Sequence, residues 1–224
     1  MIHANIPGRP GSPDPFRPWE PSFTPPGQPG QPARDPLQPT RVWVDPNAAW
    51  QAKLQENLLA KRIVLVCGVL DDPAAATLSA QLLTLDAEAG EPIRLELQNL
   101  RAELSAVVTL MGILDVLHAP VRGCVSGEIS GPALGLLAAC SHRTGYPNAT
   151  FTLSEPRVHF AGTATAVTAR EQQITRMLDT VYFRLADVTG RPVEEIREDF
   201  RQGRVLTAGQ AIGYGLINAE EGPR

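Results

Sequence analysis

The chain has 224 residues and a formal net charge of -4, a balance that gives no general attraction for a phosphate backbone or an anionic membrane. Its length suits one sizeable core plus a tail. With neither the apolar stretch of a signal peptide nor a run of about 18 apolar residues, the expectation is a cytoplasmic protein that binds no nucleic acid and no membrane.

Twelve of the 21 prolines lie in the first 40 residues, among Gly, Gln and Arg. Residues 1–45 therefore read as a disordered, Pro/Gly-rich tail that buries too little apolar surface to offset chain entropy. Pro18-Trp19-Glu20-Pro21 is its one candidate docking motif against the plainer reading of an unconstrained linker. Residues 46–224 form the folded domain.

Ala49, Trp50, Leu54, Leu58 and Leu59 recur at helical spacing, and Arg62 to Gly68 then reads as a strand of the buried type. Asp71-Asp72-Pro73 opens a second helix, with acids at its N-terminus and proline in its first turn. It runs to Ala89, where Gly90-Glu91-Pro92 breaks it, and residues 93–97 alternate like a strand.

The same order repeats, with a helix over 104–117, a strand over 121–125, a helix over 132–139 with Ser130 as its N-cap, and a strand over 149–153. Residues 157–165 read as irregular or strand-like and lead into a long helix. On it Ile174, Met177, Leu178, Val181, Tyr182 and Leu185 form one apolar stripe, and Gly190 with Pro192 stops it. Short helices over 193–200 and 207–214 close an α/β domain built on βαβ crossovers. Cys67, Cys124 and Cys140 are widely spaced within apolar runs, so they read as buried reduced thiols with no metal site. No cofactor is expected.

Several segments resemble the proteolytic subunit of the Clp protease. Residues 62–72 are similar to the opening strand and turn of that family, and Ala80-Gln81-Leu82-Leu83 to its first long helix. Tyr146-Pro147-Asn148-Ala149 resembles its Leu-Pro-Asn-Ser, and Thr189-Gly190-Arg191-Pro192 its Thr-Gly-Gln-Pro. Leu206-Thr207-Ala208 with Tyr214-Gly215-Leu216-Ile217 is similar to its closing segment. Order and spacing agree over about residues 50–218. The resemblance implies the ClpP/crotonase fold of stacked βαβ repeats with a protruding helix, here residues 168–186, used in the family for contact between rings. The six stripe residues are then oligomer-contact candidates. The implied partners are further copies of the chain or active Clp subunits in a mixed ring, with a Clp ATPase beyond them.

A serine protease of this kind needs a nucleophile, a base, a carboxylate to orient the base, and N–H donors for the oxyanion. Alignment on Val121, Gly127 and Leu136-Leu137-Ala138-Ala139 puts Gly131 at the nucleophile, and counting back from Pro147-Asn148 puts Ile129 there. Ser130 lies between the two registers and is the residual candidate. The histidine position falls on Ser154, the aspartate position on Gly203, and the oxyanion turn on Leu100-Arg101-Ala102, with Arg101 and Ala102 in place of glycines. His118 and His142 read as connection and loop residues, His159 as structural or exposed, and Asp199 as four residues away from the aspartate position.

With four catalytic elements altered together, the expectation is an inactive Clp-like subunit with a structural or regulatory role. Two alternatives stand beside it. One is an active Clp endopeptidase using Ser130. The other is a crotonase-like acyl-CoA-binding enzyme, because Ser130-Gly131-Pro132-Ala133-Leu134-Gly135 resembles the Gly-x-Ala-Leu-Gly of enoyl-CoA hydratases, with Glu155 as acid/base.

Overall fold

The computed structural model describes residues 46–158 and 162–222. The tail over 1–45 and His159 lie outside the described residues.

The elements alternate as the sequence patterning predicts. Helix α1 (Pro46–Leu59) precedes β1 (Ile63–Leu70), α2 (Asp72–Glu88), β2 (Ile93–Ala102), α3 (Leu104–Val116), β3 (Val121–Ser130) and α4 (Ala133–Ala138). Then come β4 (His142–Gly145), β5 (Thr150–Thr152), α5 (Ala164–Thr189), α6 (Val193–Gln202), β6 (Val205–Thr207), α7 (Ala208–Tyr214) and β7 (Ala219–Glu220). Asp71 caps α2 by accepting from the Ala74 N–H at 2.9 Å, while the Arg62 guanidinium donates to the Leu85 and Ala89 carbonyls at its far end.

Strands β1, β2, β3, β4 and β7 lie side by side and parallel, and β3 is the branch point. Its first half, Arg122 to Val125, pairs with β4, and its last three residues pair with β5, which in turn pairs antiparallel with β6. The break falls at Gly127 (φ +75°), level with Asn99 (φ +46°) on β2 and Gly68 (φ +80°) on β1, where the registers also shift. A Cβ at Gly127 would stand 2.1 Å from Asn99 Oδ1, so only glycine lets the Asn99 side chain accept from the Glu128 N–H at 3.1 Å. This row of bulges bends the three strands together and directs their C-terminal ends to one place.

Leu82, Ile93, Leu95, Leu97, Leu100, Ile129, Leu134 and Phe151 fill the core between sheet and helices. Several sequence expectations are corrected. Leu100, Arg101 and Ala102 belong to strand β2, because the bulge at Asn99 lets the strand continue instead of turning. Ser130 is the last residue of β3 and caps nothing; Pro132 holds the N-cap position of α4 without a side-chain bond. His142 opens β4 instead of lying in a loop. Cys67 is exposed, whereas Cys124 and Cys140 are buried. It lies on the outer face of edge strand β1, where Leu65 and Val69 are also open to solvent. On α5, Ile174, Val181, Tyr182 and Leu185 are buried in the chain's own core and Met177 and Leu178 are partly buried against it, with α3, α4 and α6 as the packing elements. The first ten residues of α5 are almost all exposed, and further along the helix Phe183 also faces solvent.

Candidate functional site

The bent strand ends open into a cleft of about 760 Å³. Arg101 and Ala102 from β2, Ser105 from α3, Glu128 and Ser130 from β3, Gly131, Thr152 from β5, residues 154–158, and Arg170, Ile174 and Met177 from α5 line it. The Gly131 N–H donates to the Thr152 carbonyl at 2.9 Å, and the Thr152 hydroxyl donates to Glu128 Oε1 at 3.2 Å, which ties β3 to β5 at the floor.

Gly131 has φ +60°, and a Cβ built on it would stand 3.1 Å from the Ser154 carbonyl oxygen and 3.5 Å from Ser154 Oγ. Any side chain at 131 would therefore face Ser154. Ser154 also neighbours the third position. Thr152 pairs antiparallel with Val205, and the Leu153 N–H donates to the Arg204 carbonyl at 2.8 Å, so Ser154 and Gly203 each lie one residue beyond that bond. Gly203 itself caps α6 in the left-handed region (φ +70°) and does not line the cleft. Of the three positions, 131 and 154 face each other across the cleft as glycine and serine.

Acid–base chemistry has little to work with there. Among the described residues neither the Ser130 nor the Ser154 hydroxyl bonds to another side chain, and no histidine lines the cleft. His118 is exposed and its Nδ1 lies 3.3 Å from Asp86 Oδ2. The Ala119 N–H, aided by His118, holds the Asp86 carboxyl below its usual range. His142 lies on β4, away from the cleft. Glu155 is at the cleft and exposed, with no hydrogen-bond partner among the described residues.

Asp199 is committed elsewhere. It is buried, accepts from the Tyr214 hydroxyl at 2.6 Å and from Arg204 Nη1 at 3.0 and 3.1 Å, and the guanidiniums of Arg191 and Arg204 flank the Tyr214 ring. Burial first, then the Asp199 bond, pushes the Tyr214 hydroxyl pKa up. This network locks α6 and α7 to the start of β6. Sequence reading assigned Asp199 no such role, because Arg204 and Tyr214 are joined to it only by the fold. It also passed over Arg157 and Arg170 as cleft residues; no motif marks them.

The Clp protease family profile matches residues 47–219 of the chain. The ATP-dependent Clp protease proteolytic subunit of Ligilactobacillus salivarius (strain UCC118) is 29% identical over 168 residues, 74% of this chain and 85% of that protein. ATP-dependent Clp protease proteolytic subunit 1 of Nocardia farcinica (strain IFM 10152) is 30% identical over 174 residues, 76% of this chain and 88% of that protein.

Proposed function

Given that the chain belongs to the Clp protease family, we propose that it is a catalytically silent proteolytic-subunit homologue, serving as a structural or regulatory member of a Clp-type ring. The observation that carries this reading is the cleft itself: glycine at 131 and serine at 154, with no histidine among its described lining residues to serve Ser130 as a base. A serine hydroxyl without a neighbouring base keeps its proton at neutral pH, and Arg101 and Ala102 replace the glycines expected for an oxyanion turn.

Apolar surface supports the assembly half of the reading. Trp50 is 67% and Val69 68% exposed, with Leu54 and Leu65 also open, on α1 and β1, two elements that pack on each other. These residues replace the buried α5 stripe as contact candidates, together with the exposed start of α5. Whether the ring is made of this chain alone or includes active Clp subunits, and whether a Clp ATPase docks on it, are separate parts of the proposal. Native mass spectrometry of the chain, alone and mixed with an active Clp subunit, tests it. Ring-sized species that L65D/V69D weakens are expected; a monomer in both samples would end the assembly reading.

A further inference from the structure

Most arginines of the domain have partners. Arg94, Arg184, Arg191, Arg197, Arg201 and Arg204 pair with carboxylates, and Arg62 and Arg143 donate to main-chain carbonyls. Arg101, Arg157 and Arg170 do not follow this pattern. They come from three separate parts of the chain, all line the cleft beside Ser130, and form no ion pair among the described residues. Arg170 donates only to Gln173 Oε1, at 3.1 Å.

Carboxylates are present in the same cleft, yet they leave these cations open. Glu128 accepts from Thr152, while Glu103 and Glu155 are exposed, and none of the three forms an ion pair with a guanidinium. Because none of these carboxylates is paired with the three guanidiniums, each planar fork keeps its donors for the carboxylate of a ligand. The cleft also has a chain-like wall. Residues 154–158 make no main-chain hydrogen bonds among the described residues, so their C=O groups, and the N–H groups of all but Pro156, are available to an extended ligand.

We propose that the cleft holds the carboxylate of a peptide without cutting it, with Arg101, Arg157 and Arg170 as its cationic partners. The inference rests on the non-hydrolytic reading of the site. The carboxylate comes either from a peptide C-terminus or from an acidic side chain.

Fluorescence anisotropy on the full chain tests it, with three N-terminally labelled Ala/Gly peptides: one with a free C-terminus, the same peptide amidated, and an amidated peptide with one internal Glu. The free acid is expected to bind at least about tenfold more tightly than the plain amide, as charge-assisted hydrogen bonds require, and added salt weakens it. R101Q/R157Q should erase that difference. R122Q/R176Q removes the same charge from exposed arginines that form no ion pair and do not line the cleft, and should preserve it. An internal-Glu peptide that matches the free acid names the side chain as the source; one that matches the plain amide names the C-terminus. Equal binding of acid and amide, no binding of any peptide, or an equal effect of R122Q/R176Q would overturn the proposal. Mass spectra of the peptides after incubation separate the two ideas. Intact bound peptide supports both, whereas cleaved peptide sinks the non-hydrolytic reading and leaves the arginine assignment standing.

Discussion

Replacing Gly127 with alanine tests the bend that brings the cleft residues together. The new Cβ would carry two costs. Alanine at φ +75° is strained by about 1–2 kcal/mol relative to glycine. The Cβ would also stand 2.1 Å from Asn99 Oδ1, so the Asn99 side chain has to swing away and give up its bond to the Glu128 N–H. That bond lies near solvent, which holds its loss to about 0.5–1 kcal/mol. Gly127→Ala should therefore destabilise the domain by about 1.5–3 kcal/mol, read as a lower urea midpoint at unchanged slope. Asn99→Gly removes the obstructing side chain while suiting the positive φ at 99, so its own effect should be below about 1 kcal/mol. In that background Gly127→Ala should cost only the backbone strain, about 1 kcal/mol less than in the wild type. An equal cost in both backgrounds would show that Asn99 and Gly127 do not share the bend, and that the fork in β3 has another origin.

Asp199→Ala should be costlier than Tyr214→Phe. It strands a buried tyrosine hydroxyl and a guanidinium together, at about 2–4 kcal/mol, discounted because Arg204 is 43% exposed; denaturant melts that rank the two variants in reverse would refute the network. Thiol titration with a disulfide reagent should find one fast thiol per native chain, Cys67, and all three after unfolding. Burial pushes Cys124 up to about 11 and Cys140 up to about 12, and both stay shielded while the fold persists. Tyr182 is buried without a partner for its hydroxyl, and burial pushes its pKa up to about 12. Tyr182→Phe should therefore cost nothing, or stabilise by up to about 1 kcal/mol. Because the folded state holds that proton longer than the unfolded chain, whose tyrosines titrate near about 10, the Tyr182 contribution to stability should fall as pH rises from about 10 towards 12, read as the difference between wild type and Tyr182→Phe because Cys124 and Cys140 also lower wild-type stability above about pH 9. Stability curves for wild type and Tyr182→Phe that run parallel across that window would contradict this.

The alternation of strands and helices was legible because each element carries its own period or its own stop signal, as Gly190 does for α5. The ends of β2 and β3 were not. Polar residues at Gln98, Asn99, Ser126 and Glu128 interrupt the apolar pattern, and Ser130 before Gly131-Pro132 imitates a helix cap although it ends a strand. Burial was legible only as a stripe or run. An apolar stretch reads alike in a central strand and in edge strand β1, so the exposure of Leu65, Cys67 and Val69 appears only with the sheet order. The α5 stripe likewise marks a face that seeks cover without saying whether its own chain or a second subunit supplies it. At the site, positions 131 and 154 were reached through short matched segments, but three arginines at 101, 157 and 170 share no spacing that local chemistry would flag. The cleft collects them through β2, the run after β5, and α5.

Ser130 lines the cleft with no histidine among the described residues beside it. The most direct test is treatment of the purified chain with a fluorophosphonate or β-lactone probe, read by intact mass beside an active Clp subunit. The active subunit should gain one adduct per chain and this chain none. A stoichiometric adduct mapped to Ser130 would contradict the proposed catalytic silence and establish a nucleophile there.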